Sequence, residues 1–313
     1  MLITGVCGRI GRRLAPALIA RGWRVVGVAR NGSPASDVPV IHGDLSDPCV
    51  MERAFSALEP GEDGSFAPIT VVHLAGLADA AEANRSRDKA FQTNVELTKD
   101  LLEHSVHNGV QQFIFASTGY VYGATGSLPA SESAPVCPDS VYATTKLVAE
   151  NLVRDYASEF KLKTDILRIS NVYGPDSPPS TVVGRILQMA RERQPLSVRS
   201  REPVRDFIYI DDVVNAMAVL IESERGDGCR VFNVSSGIGI SVGCLVDTIE
   251  ALGRGASPDP CDAASEDRLV LCNDALRAQT RWHPEYSLAD GLRACLAALS
   301  ESADASITLE SLH

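Results

Sequence analysis

The chain has 313 residues, 45% of them hydrophobic, which is enough to bury a core in one large domain or in a domain with an appended lobe. Its 29 Lys and Arg against 40 Asp and Glu give a net charge of -11, which argues against a nucleic-acid partner and a polybasic membrane patch. No apolar run reaches the ~18 residues of a membrane-spanning helix, and no Cys or His spacing predicts a metal site. Eight scattered cysteines without a CxxC pair favour structural thiols in a reducing cytosol, so we expect a cytoplasmic protein that acts on small molecules.

Short apolar segments alternate with longer helical patterns through the first half of the chain. This alternation predicts a parallel sheet with helices on both faces, a doubly wound Rossmann-type α/β fold. The predicted strands are 2–3, 24–28, 69–74 and 112–115, and the predicted helices are 13–21, 50–58 and 90–108. A helix in "VYATTKLVAENLVRDYASEF" and a strand in "TDILRIS" extend the pattern.

The composition changes after Asn171, where the Pro and Ser residues of "VYGPDSPPS" predict a loop that leaves the sheet. A helix is predicted over about 182–193, a strand and a helix in "PVRDFIYIDDVVNAMAVLIES", and a strand in "RVFNVSS". Ser241 is expected to cap the helix that ends near Leu252. We predict a dinucleotide-binding domain of residues 1–171 plus about 207–235, and a smaller C-terminal substrate-binding lobe of about 172–206 and 236–313.

A glycine-rich motif, "ITGVCGRIG", places Gly5, Gly8 and Gly11 between a predicted strand and a predicted helix. Glycines at such a turn let the backbone approach a pyrophosphate at the N-terminus of a helix. A tight strand-to-helix connection explains the same glycines, so the motif alone leaves both interpretations open.

Tyr142 and Lys146 are four residues apart on a predicted helix and therefore project from one face. An ammonium group beside a phenol lowers the pKa of the phenol, which would make Tyr142 an acid/base near neutral pH. An amphipathic helix with a surface lysine has the same spacing. The strand "FIFAST" favours the catalytic interpretation, because Ser117 and Thr118 at its end supply a hydroxyl beside that helix.

Nine motifs occur in order: the three glycines, "HGDLSD", "VVHLAG", Asn94, "FASTGYVYG", "SVYATTK", "LRISNVYGP", "VRDFIYIDDV" and "FNVSSG". Through them the chain, from Leu2 to about Leu296, resembles the extended short-chain dehydrogenase/reductases of the nucleotide-sugar epimerase/dehydratase family.

The resemblance implies a role for each motif residue. Tyr142 would be the acid/base, Thr118 its hydroxyl partner, and Lys146 a ribose ligand that tunes Tyr142. The cofactor would contact the three glycines together with Asp44, Leu45, Leu74, Ala75, Gly76 and Asn94, with Asp44 and Leu45 at the adenine. A substrate nucleotide and its diphosphate would face Asn171 and Arg205, beside Thr118. Simpler roles fit some of these: Asp44 as a turn cap, Asn171 as a partner of loop backbone, Arg205 in an ion pair with Asp206 or Asp211.

The implied activity is NAD(P)-dependent oxidation or reduction of a sugar carbon, as in a nucleotide-sugar 4-ketoreductase or 4-epimerase, and a homodimer is possible. Family dehydratases carry an acidic pair after the catalytic Thr, whereas Gly119 and Tyr120 follow here, so dehydration is disfavoured. The usual diphosphate-binding arginine is matched only by a displaced Arg268. That displacement keeps open a dehydrogenase of a free sugar acid or other small hydroxy compound. A non-catalytic dinucleotide-sensing protein is the alternative from another class.

The segment "GVARNG" addresses the choice of cofactor. Family members that use NAD carry an acidic residue at this strand end, where Ala29 stands here. Arg30 follows it and offers a charge-assisted pair of hydrogen bonds to a 2′-phosphate, with Ser33 and Arg9 nearby. We therefore predict a preference for NADP(H), with NAD(H) possible if Arg30 points to solvent or stacks on the adenine.

Overall fold

The computed structural model describes residues 1–32, 38–58, 69–123, 129–224, 226–257 and 265–310, the last eleven as backbone alone. The strands are β1 Leu2–Thr4, β2 Val26–Ala29, β3 Val40–His42, β4 Thr70–His73, β5 Gln112–Thr118, β6 Lys163–Ile169, β7 Asn171–Tyr173, β8 Val204–Tyr209, β9 Cys229–Val234, β10 Gly239–Ser241 and β11 Arg268–Leu269. The helices are α1 Gly11–Ala20, α2 Pro48–Ser56, α3 Ala80–Arg85, α4 Arg87–Phe91, α5 Leu97–His107, α6 Val141–Phe160, α7 Val182–Arg191, α8 Ile210–Glu222, α9 Val242–Gly253, α10 Asp274–Thr280 and α11 Leu288–Glu310. A π-helical turn spans Gln92–Glu96 and a 3-10 turn spans Gly119–Tyr122.

Seven parallel strands form the main sheet in the order β3-β2-β1-β4-β5-β6-β9. Neighbouring residues of one strand point to opposite faces, so Val71 joins the apolar core beneath α2, α5 and α6, and Val72 joins the core beneath α1 and α8. Helices therefore cover both faces, and the predicted doubly wound α/β fold is confirmed.

A smaller sheet is built around β8, which pairs in parallel with β7 and β11 and antiparallel with β10. Helices α7, α9 and α11 pack on it through a third apolar core. The chain then returns: α8 packs on α1, and β9 completes the main sheet beside β6. The predicted strand in "PVRDFIYIDD" belongs to the smaller sheet, while the exact division into domain and lobe stays a prediction.

Local sequence signals set several helix ends. Ser140 begins α6, because its Oγ accepts from Ala143 N at 3.3 Å, and Lys161 ends the helix with a φ of 55°. The expected cap at Ser241 is confirmed, with its Oγ accepting from Cys244 N at 3.0 Å. The sequence did not predict β3, nor the π-helical turn that divides the expected helix over 90–108.

Cysteine chemistry departs from the expectation at one position. Six described cysteines are free, but Cys244 is disulfide-bonded, so the prediction of thiols throughout is wrong at that residue. Among the described residues, every helix is too short or too polar to cross a lipid bilayer. In that same part of the chain, no group of three or more His, Cys, Asp or Glu residues is arranged to hold a metal ion.

Candidate active site

The end of β5 meets one face of α6, and this contact assembles the three predicted catalytic residues. Lys146 Nζ donates to the backbone oxygen of Ala116 at 2.9 Å. Two residues further along the strand, the Thr118 hydroxyl lies beside Tyr142 and lowers the pKa of its phenol. Tyr142 and Lys146 lie one helical turn apart, so strand and helix hold both at fixed positions beside Thr118.

The structure distinguishes the two hydroxyls that end β5. Ser117 Oγ donates to Glu150 Oε1 at 2.6 Å, so its proton points into the protein. Thr118 Oγ1 accepts from the backbone N–H of Tyr120 at 3.3 Å, which leaves the Thr118 proton available for donation. Thr118 is therefore the hydroxyl that the site presents.

The pKa of Tyr142 is set by opposing effects. Burial raises it to about 12, the Thr118 hydroxyl lowers it, and Tyr120 raises it. Lys146 is not among these causes, so its predicted effect on the pKa of Tyr142 stays a prediction. For the phenol to act as a base, further positive charge is needed beside it.

Lys146 is 5% exposed, an unusual position for an ammonium group. Burial lowers its pKa to about 8, and the charge of Glu150 raises it. The ammonium also lies 4.8 Å from the ring centroid of Phe115, a favourable cation–π distance.

The glycine motif forms a tight turn between β1 and α1. Gly5 has a φ of 67°, and a Cβ there would lie 2.9 Å from the backbone nitrogen of Ala75. A Cβ at Gly11 would lie 2.5 Å from Gly5 O, and Gly8 N donates to that same oxygen at 2.9 Å. Only glycines permit this approach, and the turn at the start of a helix fits the predicted contact with a pyrophosphate.

A buried polar relay holds the neighbouring loop. Thr4 Oγ1 accepts from the backbone N–H groups of Leu74 and Ala75 at 3.2 and 3.1 Å, so its own proton goes to His73 Nδ1 at 2.8 Å. His73 therefore carries its proton on Nε2 and donates to Thr98 Oγ1 at 3.0 Å. Burial lowers the pKa of His73 to about 3, with a contribution from the Lys146 charge, so the ring is neutral.

Asn94 lies in the π-helical turn and ties this loop to α6. Its Oδ1 accepts from Leu77 N at 2.8 Å, and its Nδ2 donates to Leu77 O at 3.2 Å and to Thr145 Oγ1 at 3.0 Å. A Cβ at Gly76 would lie 3.0 Å from Asn94 Oδ1 and 3.2 Å from Lys146 Nζ. The predicted cofactor residues of the loop therefore pack directly against the predicted catalytic helix.

The strand ends beyond β2 and β3 bring together Arg30 and Asp44. Arg30 Nη1 lies 4.0 Å from Asp44 Oδ2, and both side chains are more than half exposed. Hydrogen bonds from Ser46 lower the pKa of Asp44 most, opposed by desolvation and aided by Arg30. Asp44 thus also acts as the turn cap allowed by the sequence, while Leu45 beside it is buried.

Of the two residues predicted near Arg30, Arg9 lies among the described residues. Arg9 donates to Val172 O at 3.4 Å and to Ser177 Oγ at 3.0 Å, and its Nε lies 3.6 Å from Asp176 Oδ1. These contacts hold Arg9 toward the segment after β7, and its contact with a phosphate stays a prediction. Ser33 lies outside the described residues.

The predicted substrate residues meet at Tyr120. The Tyr120 hydroxyl donates to Asn171 Oδ1 at 2.7 Å, and Arg205 lowers the pKa of the same hydroxyl, which burial raises. Asn171 Nδ2 donates to the backbone oxygen of Asp206 at 3.1 Å, so its amide serves the backbone of strand β8 and not that of a loop. Arg205 pairs with Asp267 at 2.8 Å, so the suggested pairing with Asp206 or Asp211 is wrong.

Two important buried residues escaped the sequence analysis. Glu150 is 0% exposed and bonds Ser117, and its position one turn after Lys146 was the available signal. Asp206 is 1% exposed and accepts from both the N–H and the hydroxyl of Ser236, at 2.9 and 2.8 Å. No local spacing indicates that second role.

The comparisons with known proteins agree with this geometry. A UDP-glucuronate 4-epimerase of Thermodesulfobacterium geofontis is 30% identical over 93% of each chain. A solved UDP-glucose 4-epimerase of Thermotoga maritima, crystallised with UDP-glucose, is 29% identical and covers 96% of this chain and 99% of its own, with a TM-score of 0.83. The Thermus thermophilus UDP-glucose 4-epimerase in complex with NAD is 28% identical over 96% and 98%, with a TM-score of 0.81. The model of the NAD dependent epimerase/dehydratase family matches residues 1–235, and the chain belongs to that family.

Proposed function

We propose that this protein is an NAD(P)-dependent nucleotide-sugar 4-epimerase in which Tyr142 is the acid/base. The observation that carries the proposal is the contact of β5 with α6, which sets the free Thr118 hydroxyl against Tyr142 one turn from a buried Lys146. The relatives support the reaction, since the Thermotoga maritima and Thermus thermophilus structures, similar over nearly the whole chain, are UDP-glucose 4-epimerases.

In the proposed reaction, deprotonated Tyr142 accepts the proton of the sugar 4-hydroxyl. The hydrogen on C4 leaves as hydride, and Thr118 donates a hydrogen bond to the ketone oxygen that forms. A bound nicotinamide dinucleotide supplies the acceptor for that hydride and returns it. When the ketone has turned its other face, Tyr142 gives the proton back to the oxygen, and the configuration at C4 is inverted.

Lys146 has an electrostatic role in this mechanism. Because burial holds the pKa of Tyr142 near 12, the phenolate requires a neighbouring cation, and Lys146 is the buried ammonium one turn away. Its other predicted role is to donate to the ribose of the cofactor. The electrostatic role requires Lys146 to be charged, and the ribose contact is stronger when it is.

The substrate is proposed to be a UDP-linked hexose, either glucose or glucuronate, following the relatives. Asn171 and Arg205 would contact the nucleotide and diphosphate, with Tyr120 between them and Thr118. Gly119 and Tyr120 supply no carboxyl group after Thr118, so we propose no dehydration. A cytoplasmic location and a homodimer are further parts of this proposal.

The cofactor is proposed to be a nicotinamide dinucleotide bound by the glycine turn and the 74–76 loop. NAD is bound in the Thermus thermophilus relative. The preference for NADP(H) that Arg30 predicts stays a prediction, since the guanidinium is weakly paired with Asp44 and a 2′-phosphate would compete with that carboxylate.

The test is to incubate the purified protein and NAD or NADP with UDP-glucose or UDP-glucuronate and to resolve the products by chromatography and mass spectrometry. We expect the 4-epimer at constant mass. Oxidation or reduction of the added cofactor in stoichiometric amount would instead indicate a 4-ketoreductase or a dehydrogenase. A product lighter by one water would show dehydration and contradict the proposal.

A further inference from the structure

Glu150 lies on α6 eight residues after Tyr142 and four after Lys146, and therefore on the same face. Its side chain is fully buried. Oε1 accepts from Ser117 Oγ at 2.6 Å, and Oε2 accepts from Arg168 Nη2 at 2.7 Å. A buried carboxylate is costly unless it is paired, so the position is demanding.

Two buried cations lie beside this carboxylate. Lys146 and Arg168 are 5% and 3% exposed, and Glu150 is the buried anion that raises the pKa of Lys146 and pairs with Arg168. Arg154, 40% exposed, lies 3.7 Å away on the same helix. The charged or titratable groups on the elements packed around it are Asp165 on β6, Cys229 and Arg230 on β9, Tyr122 and Glu132.

These other groups are largely neutralised or engaged elsewhere. Asp165 pairs with Arg230 at 2.8 Å, and Glu132 Oε1 accepts from the backbone N–H of Asn233 at 2.8 Å. Burial raises the pKa of Cys229, which keeps its thiol uncharged. The charge that Lys146 experiences from this side is therefore governed by Glu150 and Arg168.

We propose that Glu150 is a positioning residue of the active site: its carboxylate keeps Lys146 charged and, through Ser117, fixes the strand end that carries Thr118. The inference rests on the proposed function. Glu150 acts through two neighbours, Lys146 on α6 and Ser117 on β5. Ser117 directly precedes Thr118, and Lys146 donates to the residue before Ser117, so both effects converge on residues 116–118.

The principal test is Glu150→Gln, assayed as the pH dependence of kcat/KM. Glutamine keeps an oxygen at the Oε1 position for Ser117 and for Arg168 Nε, but it removes the charge and the acceptor for Arg168 Nη2. Without that charge Lys146 loses its proton at lower pH, so we expect the alkaline limb to move down by about one pH unit, with activity largely recovered below it. Glu159→Gln, an exposed position on the same helix, is the matched control and should keep the parent profile. An equal loss at every pH would mean a structural role alone and would overturn the inference.

A second variant, Ser117→Ala, tests the proposed role of the hydrogen bond between Ser117 and Glu150. It leaves the charges of the site unchanged. It should lower kcat several-fold at unchanged KM and leave the alkaline limb in place, because Glu150 is retained. A kcat equal to that of the parent would overturn the role of the Ser117 hydrogen bond.

If Glu150→Gln does not fold, Arg168→Met takes its place. Loss of that cation should move the alkaline limb of the pH profile to higher pH. An unmoved limb would contradict the proposed effect of charge on Lys146.

NADH affinity measured against pH by cofactor fluorescence gives a readout that does not need turnover. The parent should lose affinity as Lys146 deprotonates, and Glu150→Gln should do so at lower pH. If the parent binds NADH with this pH dependence but forms no epimer, the proposed function fails and the inference stands. If the two proteins show the same pH dependence of binding, the inference fails whatever the reaction.

Discussion

At the scale of single residues, the clearest consequence concerns the Tyr142 phenol. Tyr142→Phe removes the proton acceptor but keeps the ring, so we expect turnover to fall by ~10²-fold or more while cofactor affinity is largely kept. Steady-state rates and a cofactor titration measure the two effects. Tyr156→Phe, on the same helix and bonded to Glu103 at the surface, is the control. Turnover within a few-fold of the parent would exclude Tyr142 as the acid/base.

A variant of Arg205 distinguishes the hypothesis of a nucleotide-linked substrate from that of a free sugar acid. We expect Arg205→Ala to raise KM for a UDP-sugar more than it lowers kcat, because a contact with a remote diphosphate contributes to ground state and transition state alike. Arg201→Ala is the control, since Arg201 pairs with Asp247 at the surface. An unchanged KM would favour the dehydrogenase of a free sugar acid.

A variant of Arg30 tests the predicted preference for NADP(H) over NAD(H). If the guanidinium leaves Asp44 for a 2′-phosphate, Arg30→Ala should cost ~1.5–3 kcal/mol in NADPH binding and little in NADH binding. Calorimetric Kd values for both cofactors, in the parent and the variant, measure this. Arg21→Ala, at the far end of α1 and paired with Glu222, controls for general loss of charge. Tighter binding of NADH than of NADPH by the parent would refute the NADP(H) preference.

At the scale of elements, the sequence predicts most of the main sheet because its strands are buried on both faces and read as apolar runs. β3 was missed because it is three residues long and half-exposed at the sheet edge. The π-helical turn was missed because Asn94 is drawn inward by Leu77 and Thr145, which are distant in sequence. Glu150 was missed for the related reason that burial of a charge depends on tertiary partners.

The relay through His73 gives an element-level prediction about pH. The pKa of this histidine falls from 6.5 in the unfolded chain to about 3 on folding, so between those values the unfolded chain binds more protons and stability falls as pH falls. From pH 7 to pH 5 the loss from this residue should be about 2 kcal/mol. Urea denaturation at both pH values should show the parent losing that much more than His73→Gln.

Asp206 has a raised pKa, about 6 because of its burial, and acts in the opposite sense over part of this range. It is present in both proteins, so it cancels in the comparison. His107→Gln, at an exposed position of α5, is the control for the replacement of a histidine. Equal pH dependence in the parent and His73→Gln would show that the histidine is not held neutral.

At the scale of the whole molecule, the two sheets are joined near one buried carboxylate. Asp206 lies on β8 of the smaller sheet, and it accepts from Ser170, which follows β6, and from Ser236 and Gly237, which follow β9. It also accepts from Leu271 N, just beyond β11. Every contact joins a segment after a strand end to β8, so the position of the substrate lobe on the main sheet depends on this side chain.

Asp206→Ala should therefore destabilise the whole protein and not one lobe. It leaves several buried donors unpaired, at about 1–3 kcal/mol for each that water does not reach, and we expect a total loss on the order of 3–5 kcal/mol. The measurement is the midpoint of urea unfolding, followed by tryptophan fluorescence, because Trp23 and Trp282 both pack in the core of the main sheet, and by far-ultraviolet circular dichroism, to which both sheets contribute. Both signals should show the same lowered midpoint.

Asp247→Ala is the control. It removes an exposed carboxylate with one surface ion pair and should lower the free energy of unfolding by less than about 1 kcal/mol. Separate transitions by fluorescence and by circular dichroism in Asp206→Ala would place the joint between the two sheets elsewhere, and a midpoint equal to that of the parent would show that water replaces the carboxylate.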